Sequence, residues 1–188
     1  MSDDDGASWY QHAMDLAAVA TGAFSPTDLH TRLARLVGRW TGTAKTYADP
    51  SDRNAAEIAP WDGTITMILG GRFLRFAYVS RAFGQPIAGE LTVAFEKDDR
   101  VFRMSWIDSM HTSGAILVSE SKPVLDSGAT AAVSALGSCF AGEGQPRWGW
   151  RTELDDQTEG ALRIRMFSIQ PGEEESLGVD IELTRQRE

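Results

Sequence analysis

The chain has 188 residues, of which 42% are hydrophobic, and this is enough for one domain with its own core. The formal net charge of −9 argues against nucleic acid or an anionic membrane as a partner, because both require a basic surface. The single cysteine, Cys139, excludes an intrachain disulfide and fits a cytoplasmic protein. No apolar run approaches the roughly 20 residues of a membrane span, and the acidic start is unlike a secretory signal.

The beginning of the chain differs in composition from the rest. Residues 1–8 are small and acidic, which predicts disorder, and the Ala-rich stretch 9–22 permits a short helix. We therefore predict an N-terminal extension over 1–25 and a single folded domain over 26–188.

A helix is predicted over residues 26–36. Ser25 is a suitable N-cap, and Pro26 suits the first helical position. Apolar residues recur on one face of this segment at Leu29, Leu33 and Leu36. Gly38 then ends the helix.

After Gly38 the hydrophobic pattern changes to a period of two, which is typical of β-strands. Ten strand-like runs follow, near 38–47, 58–69, 72–82, 87–97, 101–109, 115–123, 131–140, 147–155, 161–170 and 176–186. The links between them are short and rich in turn residues, so consecutive strands are expected to be antiparallel neighbours.

The later strands alternate one apolar face with one polar face, which indicates burial on one side only. Leu91, Val93 and Phe95, for example, alternate with Glu90 and Thr92. An open sheet of ten such strands would leave two unpaired edges, and closure into a barrel removes them. The sequence therefore predicts an all-β, antiparallel, up-and-down barrel of about ten strands, closed at one end by the N-terminal helix.

Gly38-Arg39-Trp40 stands just after the helix, at the start of the first strand, and resembles the G-x-W signature of lipocalins and other calycins. The stretches "WDGTITMILGGRFLRFAY", "MSWIDSMHTSGAILVSE" and "LGSCFAGEGQPRWGWRTEL" resemble a bacterial family of lipocalin-like proteins, the domain of unknown function 1579 family. The chain is also distantly similar to nitrobindin, a haem-binding barrel. These resemblances imply a lipocalin-like barrel over about residues 30–186 and leave the function open.

Strand parity predicts a pocket at the end of the barrel opposite the helix. The predicted ligand-binding residues are Trp61, Tyr78, Met104, Trp106, Trp148 and Trp150. Asp108 follows Trp106 on the same inward face, and His111 lies in the next turn. Apolar walls with a few convergent polar groups are typical of small-molecule sites, and Asp108 and His111 are the candidate acid–base pair.

Each of these residues also has a structural interpretation. The tryptophans could simply fill the core, as side chains do in many small barrels. Asp108 could accept hydrogen bonds from backbone amides of the turn at 109–114, and His111 could face solvent. Cys139 is expected to pack as a small apolar group near the same end.

Three functions are compatible with this sequence. The first is binding of a small hydrophobic or aromatic molecule without chemistry. The second is an isomerase- or cyclase-type enzyme that uses Asp108 and His111 for proton transfer. The third is haem binding, which ranks last because nitrobindin's iron-ligating histidine lies late in the chain and no histidine follows His111 here.

No metal site is expected, since no His/Cys spacing suggests zinc, and no cofactor other than the low-ranked haem is implied. The sequence leaves a homodimer open.

The parity of the last strand makes a further prediction about the closed end of the barrel. Arg185 should face inward near Trp40, with its guanidinium within about 6 Å of the indole centroid.

Overall fold

The structure is a computed structural model that describes residues 25–48, 56–110, 112, 114–124, 132–140 and 143–187. The predicted helix at 9–22 and the candidate residue His111 lie outside the described residues.

Ten β-strands follow one helix, as the sequence predicts. The helix is α1 (Asp28–Ala34), and the strands are β1 (Gly38–Tyr47), β2 (Ala56–Ile68), β3 (Phe73–Ala82), β4 (Gln85–Glu96), β5 (Val101–Asp108), β6 (Leu117–Ser121), β7 (Val133–Cys139), β8 (Trp148–Asp155), β9 (Ala161–Ile169) and β10 (Ser176–Arg185). No helix among the described residues is long and apolar enough to cross a membrane.

The strands form one closed antiparallel barrel in which each strand pairs with its neighbours in sequence and β10 pairs back to β1. The closing ladder runs from Trp40 opposite Arg185 to Thr46 opposite Val179. The predicted up-and-down barrel is therefore confirmed, and closure pairs both edges that the sheet would otherwise leave open.

Side chains alternate between the interior and the surface of the barrel. In β5, Phe102, Met104 and Trp106 are buried, whereas Arg103 and Ile107 are exposed. The buried hydrophobic residues of the barrel and of α1 join in a single core cluster, so the strands and the helix share one core.

Helix α1 is shorter than predicted and begins at a different residue. Its N-cap is Thr27 rather than Ser25, because the Thr27 side chain accepts from the backbone N–H of His30. The His30 ring in turn accepts from the backbone N–H of Thr27, at 3.2 Å from N to Nδ1. This reciprocal capping box fixes the first turn of the helix. His30 occupies the position at which a capping box usually has Glu or Gln.

The helix closes one end of the barrel, which we call the closed end. Leu29 and Leu33 of α1 are buried in the barrel core. Arg32 of α1 forms a buried ion pair with Asp156 in the link between β8 and β9, with 3.0 Å between Nε and Oδ2. The helix is thus held by apolar packing and by an ion pair with the link that follows β8.

Trp40 is fully buried at the closed end. Its indole N–H donates to the Leu36 carbonyl oxygen at 2.8 Å. The Arg185 guanidinium lies 4.9 Å from the Trp40 ring centroid and also donates to the Arg35 carbonyl oxygen. The predicted contact between Arg185 and Trp40 is confirmed, and Arg185 joins the last strand to the end of the helix.

Candidate functional site

The opposite end of the barrel, which we call the open end, carries most of the residues that the sequence predicts for a site. Strand β5 ends there at Asp108, and strand β8 begins there at Trp148. Side chains of β2 and β3 extend toward the same end, because antiparallel strands alternate in direction around the barrel.

Three of the predicted residues form an aromatic cluster, defined by Trp61, Tyr78 and Trp106. All three are buried. The Trp61 and Tyr78 rings are stacked, with centroids 4.2 Å apart and an interplanar angle of 21°. The Tyr78 and Trp106 rings are tilted, with centroids 5.6 Å apart. Such offset and tilted pairs are the favoured arrangements of aromatic side chains.

The cluster is also joined by a hydrogen bond. The Trp106 indole N–H donates to the Tyr78 hydroxyl oxygen at 2.8 Å. Asp108, at the end of β5, lies close enough to Tyr78 for its negative charge to raise the pKa of the Tyr78 hydroxyl. The buried cluster therefore lies beside a carboxylate at the open end.

Gly89 makes room for the Tyr78 hydroxyl. It lies between Tyr78 and Asp108 in the sheet register. A Cβ atom at this position would overlap the Tyr78 hydroxyl. The glycine on β4 is therefore required for the phenol to lie across this strand.

The Asp108 carboxylate has a second, local role. Its Oδ1 accepts from the backbone N–H of Met110 at 2.8 Å, which is the turn-capping contact anticipated as the structural interpretation. The Thr112 hydroxyl closes the same turn by donating to the Asp108 carbonyl oxygen at 2.9 Å. Asp108 is half-buried and lies on the same face of β5 as Trp106. It therefore caps the turn from the inward side of the strand.

The environment keeps the Tyr78 hydroxyl protonated. Burial raises the pKa of Tyr78 above its ordinary value of 10.0, and the negative charge of Asp108 raises the pKa further. The hydrogen bond from Trp106 lowers it by a smaller amount. Tyr78 is therefore neutral at physiological pH.

The remaining predicted ligand-binding residues occupy two different positions. Met104 is buried two residues below Trp106 on β5, toward the closed end. Trp148 and Trp150 are half-buried on β8, and Trp150 packs against the core. We call Asp108, Trp148 and Trp150 the rim, because they are the partly exposed residues of the predicted set.

Two buried tryptophan N–H groups have no hydrogen-bond partner. They are the Nε1 atoms of Trp61 in the aromatic cluster and of Trp150 in the rim. Buried polar groups are nearly always paired, so these two donors are exceptions. Strand parity predicts the inward orientation of these two tryptophans. The lack of a hydrogen-bond partner depends on packing across the barrel and has no signal in the sequence.

An open groove of about 670 Å³ lies along strands β2 to β5. Its lining includes Tyr78 of the aromatic cluster and Asp108 of the rim, together with the exposed Ile107. Arg75 and Glu90, which form an ion pair at 2.7 Å, line it as well. The predicted tryptophans do not line this groove, so it is not the pocket that the strand parity predicts.

The described residues contain no group of three or more His, Cys, Asp or Glu side chains that could hold a metal ion. His30, the histidine that the structure does describe, is buried in the capping box at the closed end. Cys139 is half-buried next to Trp148, and burial raises the pKa of its thiol.

The closed ten-stranded meander, with a helix over one end and an aromatic interior at the other, defines a lipocalin-like barrel. The chain belongs to the family described as "Protein of unknown function (DUF1579)", whose sequence profile matches residues 25–185. No curated protein sequence gives a significant match to the chain.

Two solved structures are similar to this barrel. The crystal structure of Rv2717c from M. tuberculosis is 16% identical, with a TM-score of 0.57, and the match covers 87% of this chain and 99% of that one. The S-type phycobiliprotein lyase CPES from Guillardia theta is 13% identical, with a TM-score of 0.50, and the match covers 89% and 96% of the two chains. At these identities the likeness shows the fold alone.

Proposed function

We propose that this protein binds a small hydrophobic or aromatic molecule at the open end of its barrel. The observation that carries the proposal is the buried aromatic cluster of Trp61, Tyr78 and Trp106, which lies beside the half-buried carboxylate of Asp108 at the rim. Apolar and aromatic surface with a few oriented polar groups is the usual composition of a ligand site.

The burial of these residues supports a division of roles. The aromatic cluster is buried and forms an apolar floor, whereas Asp108, Trp148 and Trp150 are half-buried and present surface that a ligand can contact. The unpaired indole N–H groups of Trp61 and Trp150 are donors that a polar atom of a ligand could accept from. The floor would supply apolar contact, and the rim would orient the molecule.

Native mass spectrometry of the purified protein and a fluorescence titration test this proposal. A molecule that co-purifies, or an aromatic compound that quenches tryptophan emission in a saturable way, is the expected result. Trp150→Phe should reduce the quenching, whereas Trp40→Phe, at the closed end, should leave the ligand affinity unchanged. Unchanged emission across a panel of aromatic and lipid-like compounds, together with no co-purifying molecule, would contradict binding.

The second candidate is an enzyme that moves a proton on such a molecule. The observation that favours it is the position of Asp108 beside the neutral Tyr78 hydroxyl, because a half-buried carboxylate in an aromatic site can act as a general base. The similar phycobiliprotein lyase is named for an enzymatic activity. The test is Asp108→Asn, which should abolish turnover of a bound compound while its affinity persists. His111, the other residue of the predicted pair, is tested in the same way by His111→Ala.

Haem binding is the third candidate, and absorbance of the purified protein tests it directly. A Soret band that survives dialysis would favour haem over the first two functions.

A further inference from the structure

Two indole N–H groups inside the barrel are buried without an acceptor. They belong to Trp61, which is 4% exposed, and to Trp150, which is half-buried. The indole N–H groups of Trp40 and Trp106, by contrast, each donate to a protein oxygen at 2.8 Å. An unpaired buried donor is unfavourable, so an acceptor atom that reaches Trp61 and Trp150 would be bound with a gain in free energy.

Both tryptophans face the interior from nearly opposite walls. Trp61 shares the inward face of β2 with Ile65, and Trp150 shares that of β8 with Leu154. Around the closed barrel, β2 and β8 are separated by β1, β10 and β9 on one side and by the five strands β3 to β7 on the other. The two side chains therefore approach the interior from different directions.

The strand registers also place the two residues at similar heights. From Trp61, the ladders through β1 and β10 lead to Leu162, whereas Trp150 lies opposite Ser168, six residues nearer the open end of β9. In the other direction, the ladders from Trp150 lead to Met67, six residues nearer the closed end of β2 than Trp61. Such equal and opposite offsets are the stagger of tilted strands in a closed barrel, so neither residue is much higher than the other.

Two donors on opposite walls select a molecule with an acceptor at each of two opposite edges. A carbonyl oxygen suits this role, because it accepts hydrogen bonds without carrying a charge. An ammonium group has no acceptor to offer, and the net charge of −9 disfavours the approach of anions. Because both N–H groups are already withdrawn from water, only the oxygens of the ligand lose hydration when these hydrogen bonds form.

Resting on the proposed binding function, we infer that the ligand of this barrel is a neutral aromatic molecule with a carbonyl-type oxygen at each of two opposite edges. One oxygen accepts from the Trp61 indole N–H and the other from the Trp150 indole N–H, and the aromatic body lies between them. Trp61 and Trp150 are then the residues that determine specificity.

Three compounds of nearly equal size test this inference. They are 1,4-diacetylbenzene, 4-ethylacetophenone and 1,4-diethylbenzene, which carry two, one and no carbonyl groups on the same ring. The proton–nitrogen NMR spectrum of the labelled full chain resolves the indole N–H signals of its six tryptophans. Relative to the hydrocarbon, which controls for ring-current effects, the diketone should move the Trp61 and Trp150 proton signals downfield. The Trp40 and Trp106 signals, whose donors are already paired, should stay in place.

Two variants connect the preference for carbonyl groups to these donors. Trp61→Phe and Trp150→Phe each keep an aromatic ring and remove one N–H. The ratio of the diketone affinity to the hydrocarbon affinity, measured by isothermal titration calorimetry, should fall roughly fivefold in each variant. Trp40→Phe, at the closed end, should leave this ratio unchanged. Because the ratio is taken within one protein, a general loss of packing affects both compounds and cancels.

The outcomes separate this inference from the proposed function. Binding of all three compounds without a downfield shift of either signal, or an equal affinity ratio in wild type and both variants, would overturn the inference and leave aromatic binding standing. A shift of only one signal would overturn the two-edged ligand. If none of the three compounds binds and no aromatic compound quenches the tryptophans, both fail together. The NMR comparison uses the wild-type chain, so it does not depend on the folding of a variant.

Discussion

At the scale of single residues, the polar tips of the buried aromatic side chains distinguish the two ends of the barrel. At the closed end, the Trp40 indole N–H is paired with the Leu36 carbonyl, and the ring lies under Arg185. At the open end, Trp106 is paired through Tyr78, whereas the Trp61 N–H has no partner. The polar group of a residue that only fills a core is expected to have a hydrogen-bond partner. The difference between the paired N–H of Trp40 and the unpaired N–H of Trp61 therefore supports a structural role for Trp40 and a binding role for the open end.

The hydrogen bond between Trp106 and Tyr78 gives the first prediction. Tyr78→Phe keeps the stack on Trp61 but leaves the buried Trp106 N–H without an acceptor, so the free energy of unfolding should fall by roughly 1–3 kcal/mol. Trp106→Phe removes the donor and should also destabilise the protein.

A double-mutant cycle, measured by urea unfolding, tests whether these two costs belong to one interaction. Because the double variant leaves no unpaired N–H, its destabilisation should be smaller than the sum of the single effects by about 1 kcal/mol. Strictly additive effects would show that the two side chains do not stabilise one another.

At the scale of elements, the helix shows how a titratable residue enters the fold. His30 is buried in the capping box of α1 and packs edge-on against Phe95, with ring centroids 5.6 Å apart. Burial lowers the pKa of His30 below its ordinary value of 6.5, and the positive charge of Lys97 lowers it further. The hydrogen bond from the His30 ring to the Phe95 carbonyl acts in the opposite direction but is the smallest of the three effects.

The second prediction concerns stability in acid. Because the folded pKa of His30 lies below the unfolded pKa, the unfolded chain binds the proton first as the pH falls. The contribution of neutral His30 to stability is therefore complete above about pH 6.5 and decreases as the pH falls from 6.5 through the folded pKa.

His30→Gln provides the matched comparison, because Thr-x-x-Gln can form the same capping box without a group that titrates in this range. The difference in unfolding free energy between wild type and His30→Gln should change below pH 6.5 and stay constant above it. Parallel pH profiles of the two proteins would show that His30 is not the group that titrates.

At the scale of the whole molecule, closure depends on a seam where the first and last strands approach closely. Gly42 of β1 lies opposite Leu183 of β10, next to the Glu182 carbonyl. A Cβ atom on Gly42 would overlap the Glu182 carbonyl oxygen. The backbone itself fills this space, so the pairing that closes the barrel requires glycine here.

The third prediction tests this seam. Gly42→Ala should destabilise the protein by roughly 1–3 kcal/mol, because the backbone of β1 or β10 must move to accept the methyl group. Gly178→Ala, on β10, is the control. The atom nearest to its new Cβ would be the Met166 carbonyl oxygen, at the ordinary contact distance of 3.8 Å. Thermal unfolding should show a clear loss for Gly42→Ala and a melting temperature near that of wild type for Gly178→Ala. An equal effect of both substitutions would argue against a special seam.

The sequence alone determined the architecture to within two residues at every strand end, because one-sided burial has a period that can be read directly. It also determined the Arg185 contact with Trp40, since parity fixes the inward face of a strand. The N-cap of the helix was predicted wrongly, because Thr27 forms its capping box with a histidine rather than with the usual Glu or Gln.

The open end shows where sequence information stops. Parity placed Trp61, Tyr78, Trp106 and Asp108 at one end of the barrel, but only the register of β3, β4 and β5 brought the Tyr78 hydroxyl within hydrogen-bond distance of the Trp106 indole. Pairing between residues as far apart in the chain as 78 and 106 depends on strand stagger and on a glycine that leaves room for the phenol. These are properties of the closed sheet, so the tertiary structure decided which aromatic residues are satisfied and which retain a free donor.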